Sequence, residues 1–405
     1  MKPKTKIVLV LSFLIIILTL AVNPVLVSAE ERDEQQSEED DALQTNIVQN
    51  QLNELGTNEV ESFWKQVQEE YQGYLPENQP MKMSDFFQLE GSFFSISLVK
   101  GFIKFVFHEL WLNGKLLATI IILTVFSMIL EHIQSAFEKN SVSRVAYAIT
   151  YLVIIILAMN SFAIAIDYAK EAISTMVNFM MALIPLVLAL MASVGNITSV
   201  ALFHPLIIFL VNTSGILIYS IVFPLLFFSS ILGIVSTFTE QYKVSRLSNL
   251  LRNIGIGCLG LFLTVFLGVV SVQGATSAVV DGVTIKTAKF VTGNFVPVVG
   301  RMFTDATDTV IGASLLVKNT IGLAGVIILI MLCAFPALKI LTIAIIFNIS
   351  AALLQPLGNS SVIECLGIIG KNLLFVFAAL ATVCLMFFLA ITIIIAAGNL
   401  SIMVR

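Results

Sequence analysis

From Leu116 to its end the chain is a succession of uncharged apolar runs broken by short polar joints. Several runs are close to the ~20 residues an α-helix needs to cross a ~30 Å hydrocarbon core. Val200 to Phe238 is 39 residues with His204 as the only side chain that ionises near neutral pH, and Leu373 to Asn399 is 27 residues with none. No water-soluble fold explains both, so the sequence predicts an all-α, polytopic helical membrane protein. Composition agrees: 58% hydrophobic and 12% charged residues stand well away from the roughly 45–50% and 25% of soluble domains. A formal net charge of −4 gives no footprint for nucleic acid.

The beginning has a different character. Lys2, Lys4 and Lys6 precede the apolar stretch Ile7 to Val22, and Val27-Ser28-Ala29 places small residues where a signal peptidase reads. Residues 1–29 therefore read as a cleaved signal peptide, which directs export of the segment after Ala29. An uncleaved anchor helix is the rival, but a 16-residue apolar core followed by Pro24 is short for a span. Glu30 to Asp41 holds eight acidic residues and one Arg, a self-repelling run without an apolar face, expected to be a disordered leader (30–41). An extracytoplasmic amphipathic helical region comes next (42–114). Leu43, Ile47, Gln51 and Leu55 share one helical stripe, Gly56 breaks it, and Asn58 with Glu61 is a candidate capping box. The next helix carries Val60, Phe63, Trp64, Val67 and Tyr71 at spacings of three and four, opposite Glu59, Glu61, Lys65, Gln68 and Glu69. Its acidic polar face argues against anionic lipid and for packing within the chain. A turn at Gly73-Tyr74-Leu75-Pro76 closes the unit. Phe86, Phe87, Phe93, Phe94, Phe102, Phe105, Phe107 and Trp111, with Lys100, Lys104 and Lys115, then read as an approach to the headgroup region.

Counting apolar runs gives about nine transmembrane helices. Leu116 to Leu130, Tyr147 to Ile166 and Met176 to Val194 are the first three. As one helix the 39-residue stretch would be ~58 Å long, so it is expected to turn back near Asn212 to Gly215 and count as two. Ile254 to Val272 completes a six-span bundle (115–272). Ile321 to Leu338, Ile340 to Leu357 and Leu373 to Ala397 form a three-span bundle (321–405), in which Pro336 to Lys339 joins either two spans or a kinked pair. With the mature start outside, nine crossings put Lys139, Arg144, Lys243, Arg246, Arg252, Lys339 and Arg405 inside, in keeping with the positive-inside rule. The C-terminus is then cytoplasmic.

Between the bundles, residues 273–320 are too polar to cross and too apolar for an ordinary loop. Two amphipathic helices separated by Gly293 to Gly300 fit, either lying on the outer face with their charges in water or dipping into a protein-lined cavity as a re-entrant element. In the second case Asp281, Lys286, Lys289, Arg301, Asp305, Asp308 and Lys318 are candidate pore-rim or assembly residues. Gly260, Thr264 and Gly268 form a small-residue stripe every four positions, expected to let helices approach closely, within this bundle in preference to between copies.

The strings Leu263-Thr264-Val265-Phe266-Leu267-Gly268, Gln273-Gly274-Ala275-Thr276, Asp281-Gly282-Val283-Thr284, Asn294-Phe295-Val296-Pro297-Val298-Val299-Gly300 and Leu316-Val317-Lys318-Asn319 resemble the stage III sporulation protein AE family of endospore-forming bacteria. The likeness runs from about Tyr74 to Asn399. It implies a multi-pass protein of the mother-cell membrane around the forespore, made during engulfment. It also implies membership of a secretion-like channel complex, a feeding tube, that sustains late forespore gene expression. The implied partners are the other stage III A sporulation proteins, including a cytoplasmic ATPase and ring-forming membrane components. The family offers no catalytic motif to carry over.

The residues themselves point the same way. His108, His132 and His204 are scattered, and His108-Glu109 lacks the second His of a zinc-binding helix. Cys258, Cys333, Cys365 and Cys384 form no CxxC pair. Gly367 to Asn372 is too short for a phosphate-binding loop and has no Ser or Thr after its lysine. The expectation is a protein without catalytic residues, metal or cofactor. A stand-alone secondary transporter or permease is the alternative, with Pro185, Pro205 and Pro224 marking broken helices. An intramembrane protease would need His or Asp pairs inside the spans.

Overall fold

The computed structural model describes residues 57–76, 80, 85–86, 96–136, 141–238, 244–295, 299–358 and 360–403. The signal-peptide segment, the acidic leader and the Leu43 to Leu55 stripe lie outside the described residues. Every regular element among those described is helical: α1 Asn58–Tyr71, α2 Ile96–Leu112, α3 Gly114–Ala136, α4 Ser141–Ser193, α5 Ile197–Leu217, α6 Phe223–Phe238, α7 Ser245–Phe295, α8 Val299–Leu354 and α9 Ser361–Met403. Helix α9 is the axle, packing against α8, α7, α4 and α6.

Six helices among the described residues are long and apolar enough to cross a membrane: Gly114–Ile133, Val145–Ser193, Ile197–Thr237, Ser245–Thr284, Ile311–Leu357 and Ser361–Asn399. The difference from nine arises at three joints that the helices run straight through. Tyr147 to Ile166 and Met176 to Val194, all but its last residue, lie on the single helix α4. The expected turn at Asn212 to Gly215 is inside α5, and α5 passes into α6 through a π-helical turn at Ile218–Val222. Pro336 to Lys339 is inside α8. Polar residues do not end a helix when their side chains return to it, and here Asn212 Nδ2 donates to the Ile208 carbonyl and Ser214 Oγ to that of Val211.

The polar segment 273–320 is also resolved differently. It does break near Gly293 to Gly300, since α7 ends at Phe295 and α8 begins at Val299. Its two helices are not separate surface elements, however. They continue α7 and α8 beyond their apolar stretches.

Helix α1 buries Val60, Trp64, Val67 and Tyr71 with Phe63 half-buried, the face its spacing predicts. Its partners lie within the chain, on α4 and α8. The start differs by one residue: Thr57 is the cap position, and its hydroxyl meets Glu61 at 3.3 Å in place of an Asn58–Glu61 box. Helices α2 and α3 are nearly one rod, because Asn113 N–H bonds the Glu109 carbonyl and Leu117 N–H bonds that of Asn113. This rod runs parallel to α8. Phe105 stands against Phe335, centroids 5.1 Å apart, and Met128 lies where a side chain at Gly358, just past the end of α8, would meet it, so 23 residues separate the two contacts on either side. Glycine at 101 is required by contact, since a Cβ there would overlap the Tyr74 carbonyl of the turn after α1.

Candidate functional site

Two polar clusters stand out in an otherwise apolar bundle, one halfway along it and one at its end. The first is a belt where α1 lies across α4 and α8. Tyr71 stacks on Phe335 (centroids 3.8 Å apart, planes 6° from parallel), and Phe105 meets both rings edge-on. Phe63 makes the corresponding contact with Phe179 of α4 at 5.4 Å. Trp64 donates its indole N–H to the Pro80 carbonyl at 2.7 Å. Lys339 of α8 lies 3.6 Å from the Glu70 carboxylate and over the faces of Tyr71 and Tyr168, 5.7 and 5.5 Å from their centroids. An ammonium between two aromatic faces and a carboxylate is held by cation–π attraction of about 0.5–2 kcal/mol and a half-wet ion pair of about 1 kcal/mol or less. The Tyr71 hydroxyl donates to Glu70 at 2.5 Å. Burial first, and then this bond and the Glu70 charge, push the Tyr71 phenol above its ordinary range. A cavity of about 80 Å³ opens beside the belt, bordered by Gln66, Glu70, Tyr168, Glu171 and Thr175. On α4 at this height Asp167, Lys170 and Glu171 are exposed.

The second cluster ties five helices together. Gly195, at φ +93°, turns α4 into α5 through a backbone conformation that other residues rarely adopt. Asn196 then caps α5, and its side-chain amide donates to the Gly398 carbonyl of α9 at 3.4 Å. The first amides of α5 are satisfied from α7: Thr198 N–H donates to one Asp281 oxygen at 3.0 Å and Ser199 N–H to the other at 2.8 Å. Asp281 is 2% exposed, and a carboxylate at a helix N-terminus is stabilised by the unpaired amides and the helix dipole. From α8, Lys318 is fully buried and donates to Asn399 Oδ1 at 2.6 Å and to the Ile395 carbonyl at 3.3 Å. Its ammonium occupies the space a side chain at 398 would take, which makes Gly398 a contact glycine.

Of the residues singled out from sequence, Asp281 and Lys318 come together here, inside the bundle. Lys286 is exposed one turn beyond Asp281 on α7. Lys289 is on α7, and Arg301, Asp305 and Asp308 are on α8; their side chains lie outside the described part. Gly260, Thr264 and Gly268 face outward on α7, and a methyl group at either glycine would meet nothing within 4 Å. The packing expected of them inside the bundle is not made. The close contacts belong to other glycines, notably Gly325 against Leu183 of α4 and Gly322 against Ile395 of α9. His108, His132 and His204 are exposed on three different helices. Sequence reading missed the belt: Lys339 was one of only two ionisable residues in the apolar runs, and that rarity was the available signal.

Residues 80–398 match the stage III sporulation protein AE family. The stage III sporulation protein AE of Bacillus subtilis (strain 168) is 58% identical over 351 residues, 87% of this chain and 88% of that protein. The chain belongs to the stage III sporulation protein AE family. No solved structure is similar to it. The family match takes in the end cluster as far as Gly398, one residue short of Asn399, and the α8 side of the belt, Phe335 and Lys339, whereas α1 with Tyr71 precedes it. A sporulation role and a multi-pass helical membrane protein therefore stand together.

Proposed function

We propose that this chain is a non-enzymatic subunit of the channel complex linking mother cell and forespore, required for late forespore gene expression and maturation. It sits in the mother-cell membrane and works with the other stage III A proteins, an ATPase and ring-forming membrane components among them. Beyond family membership, the supporting observation is one of length. Outside α3, the apolar helical stretches are 39–49 residues long, about 58–74 Å at 1.5 Å per residue, twice a hydrocarbon core.

The belt halves that length. Lys318 and Lys339 are 21 residues apart on α8, ~32 Å, and the apolar stretch runs 18 residues further past Lys339, to Leu357, ~27 Å. Exposed Asp167, Lys170 and Glu171 and the acidic face of α1 need water, so one bilayer lies wholly on one side of the belt. Helix α3 selects the side. It is the one span of single-bilayer length, 20 residues, and it runs beside the half of α8 that leads to Gly358. The other half stands on the extracytoplasmic side with α1, carrying outward apolar residues such as Leu202 and Phe209 of α5 and Val265 and Val272 of α7. Those faces suit protein partners, which a stand-alone permease would not need. The signal peptide (1–29) exports the start, the joint between α6 and α7 with Lys243 and Arg246 remains inside, and six crossings return the C-terminus to the outer side. Residues 273–320 then form the outer rim of the assembly, with Lys286, Lys289, Arg301, Asp305 and Asp308 as candidate rim residues and Asp281 and Lys318 fastening the helices that carry them.

The transporter reading gains one observation, that Asp281 and Lys318 are buried charges within long apolar helices. Both are engaged by backbone groups and a neutral amide, which is how fasteners are held. A photo-crosslinking residue at Phe209 or Val272 tests the proposal in sporulating cells. Adducts with the ring-forming components are expected; adducts with lipid alone at both positions would contradict it. Charge reversal of Lys286 with Lys289 should block forespore maturation with normal membrane insertion, and normal spore yield would remove the rim assignment.

A further inference from the structure

Helix α8 continues through Pro336, whose ring nitrogen cannot donate to the Leu332 carbonyl, so the helix is intrinsically weak at that turn. The contacts of α1 straddle this weak point. Phe335, just before it, is stacked by Tyr71, and Lys339, one turn after it, is held by Glu70 and Tyr71 of α1, with Tyr168 of α4 on its other side. At its other end α1 is anchored to α4 through Phe63 and Phe179. The cavity of about 80 Å³ borders Leu332, Pro336 and Lys339 as well as Glu171 and Thr175. It is polar and large enough for water to serve a released carbonyl, and it leaves α8 room to bend.

We propose that α1 is a releasable strap that holds α8 straight at Pro336, and that lifting it lets the half of α8 carrying Lys318 swing about that proline. Lys318 is 18 residues from Pro336, a lever of ~27 Å, so a bend of ~10° displaces it by about 5 Å. The end cluster, which joins Lys318 to α9, is the structure such a swing would move. The strap is on the water-facing side of the belt, where a partner can reach it. This inference does not rest on the channel reading and is tested on the isolated chain.

Amide hydrogen exchange of the full-length protein in lipid nanodiscs is the experiment, on Tyr71→Ala and Lys339→Gln, each made with Pro336 present and with Pro336→Ala. Replacing the proline restores the missing donor and removes the hinge. With Pro336 present, amides 332–341 should exchange about tenfold faster in Tyr71→Ala and a few-fold faster in Lys339→Gln. With Pro336→Ala that acceleration should vanish, although the amides of α1 still exchange faster. Lys339→Gln keeps the test valid should Tyr71→Ala insert poorly. Unchanged exchange at 332–341 when α1 is released would overturn the proposal, as would equal acceleration with and without the proline.

Discussion

The belt and the end cluster handle the same difficulty, charge inside an apolar bundle, by different physics. At the belt Lys339 keeps part of its hydration and gains two aromatic faces and a half-exposed carboxylate. At the end cluster Lys318 and Asp281 have lost water altogether and are held by backbone groups and one neutral amide. A partner that is itself mobile and wet can be exchanged, whereas a helix N-terminus cannot be replaced without unravelling. The belt is therefore the part of the molecule built to open, and the cluster the part built to stay closed.

The comparison can be broken in several places, the largest effect first. Trp64→Ala should remove about 3–5 kcal/mol of α1 docking through lost packing and the lost bond to Pro80, seen as protease cleavage within α1 while the membrane bundle remains intact. Asp281→Ala should cost about 3 kcal/mol of bundle stability, because two charge-assisted bonds at the start of α5 disappear. Unfolding in mixed detergent micelles measures this, and a loss under about 1 kcal/mol would place the cluster among the exchangeable sites. In the same assay Asn399→Ala should cost about 2 kcal/mol, since it leaves a buried ammonium short of an acceptor, while Lys318→Met should stay within about 1 kcal/mol of wild type. That asymmetry separates a fastened charge from a wet one. Lys339→Gln should weaken α1 docking by only about 1 kcal/mol.

The smallest effect is alkaline. Because the docked Tyr71 phenol titrates above its ordinary value near 10, docking keeps its full strength below about pH 10 and weakens as pH rises beyond it. Trp64 emission, read in a Trp111→Phe background, should shift to the red as pH rises above about 10. Tyr71→Phe should show no such shift.

Much of the architecture is legible in the order of the amino acids alone. Apolar runs identify the medium, and the spacing of Val60, Trp64, Val67 and Tyr71 names the buried face of α1, because both depend on composition and period alone. Continuity is not legible in the same way. Asp167 to Thr175, Asn212 to Gly215 and Pro336 to Lys339 look like joints because hydropathy dips there, yet a helix ends only when its backbone bonds are given up, and these side chains do not demand that. Asp281 and Lys318 are hidden for a related reason. A charge looks exposed until the carbonyls and amides about 80 residues away that satisfy it are known. Gly260, Thr264 and Gly268 show the converse, since a small-residue stripe reveals a face without saying whether the chain supplies its neighbour.

The depth of the lipid is the central claim, and spin labels placed singly at Ile149, Leu152 and Ile156 of α4 and at Leu202 and Phe209 of α5, all exposed, test it most directly. In proteoliposomes the three α4 sites should be reached by oxygen and shielded from a water-soluble nickel relaxant, and the two α5 sites should be open to nickel. Oxygen-dominated relaxation at Leu202 and Phe209, with nickel reaching Ile149, would contradict the account.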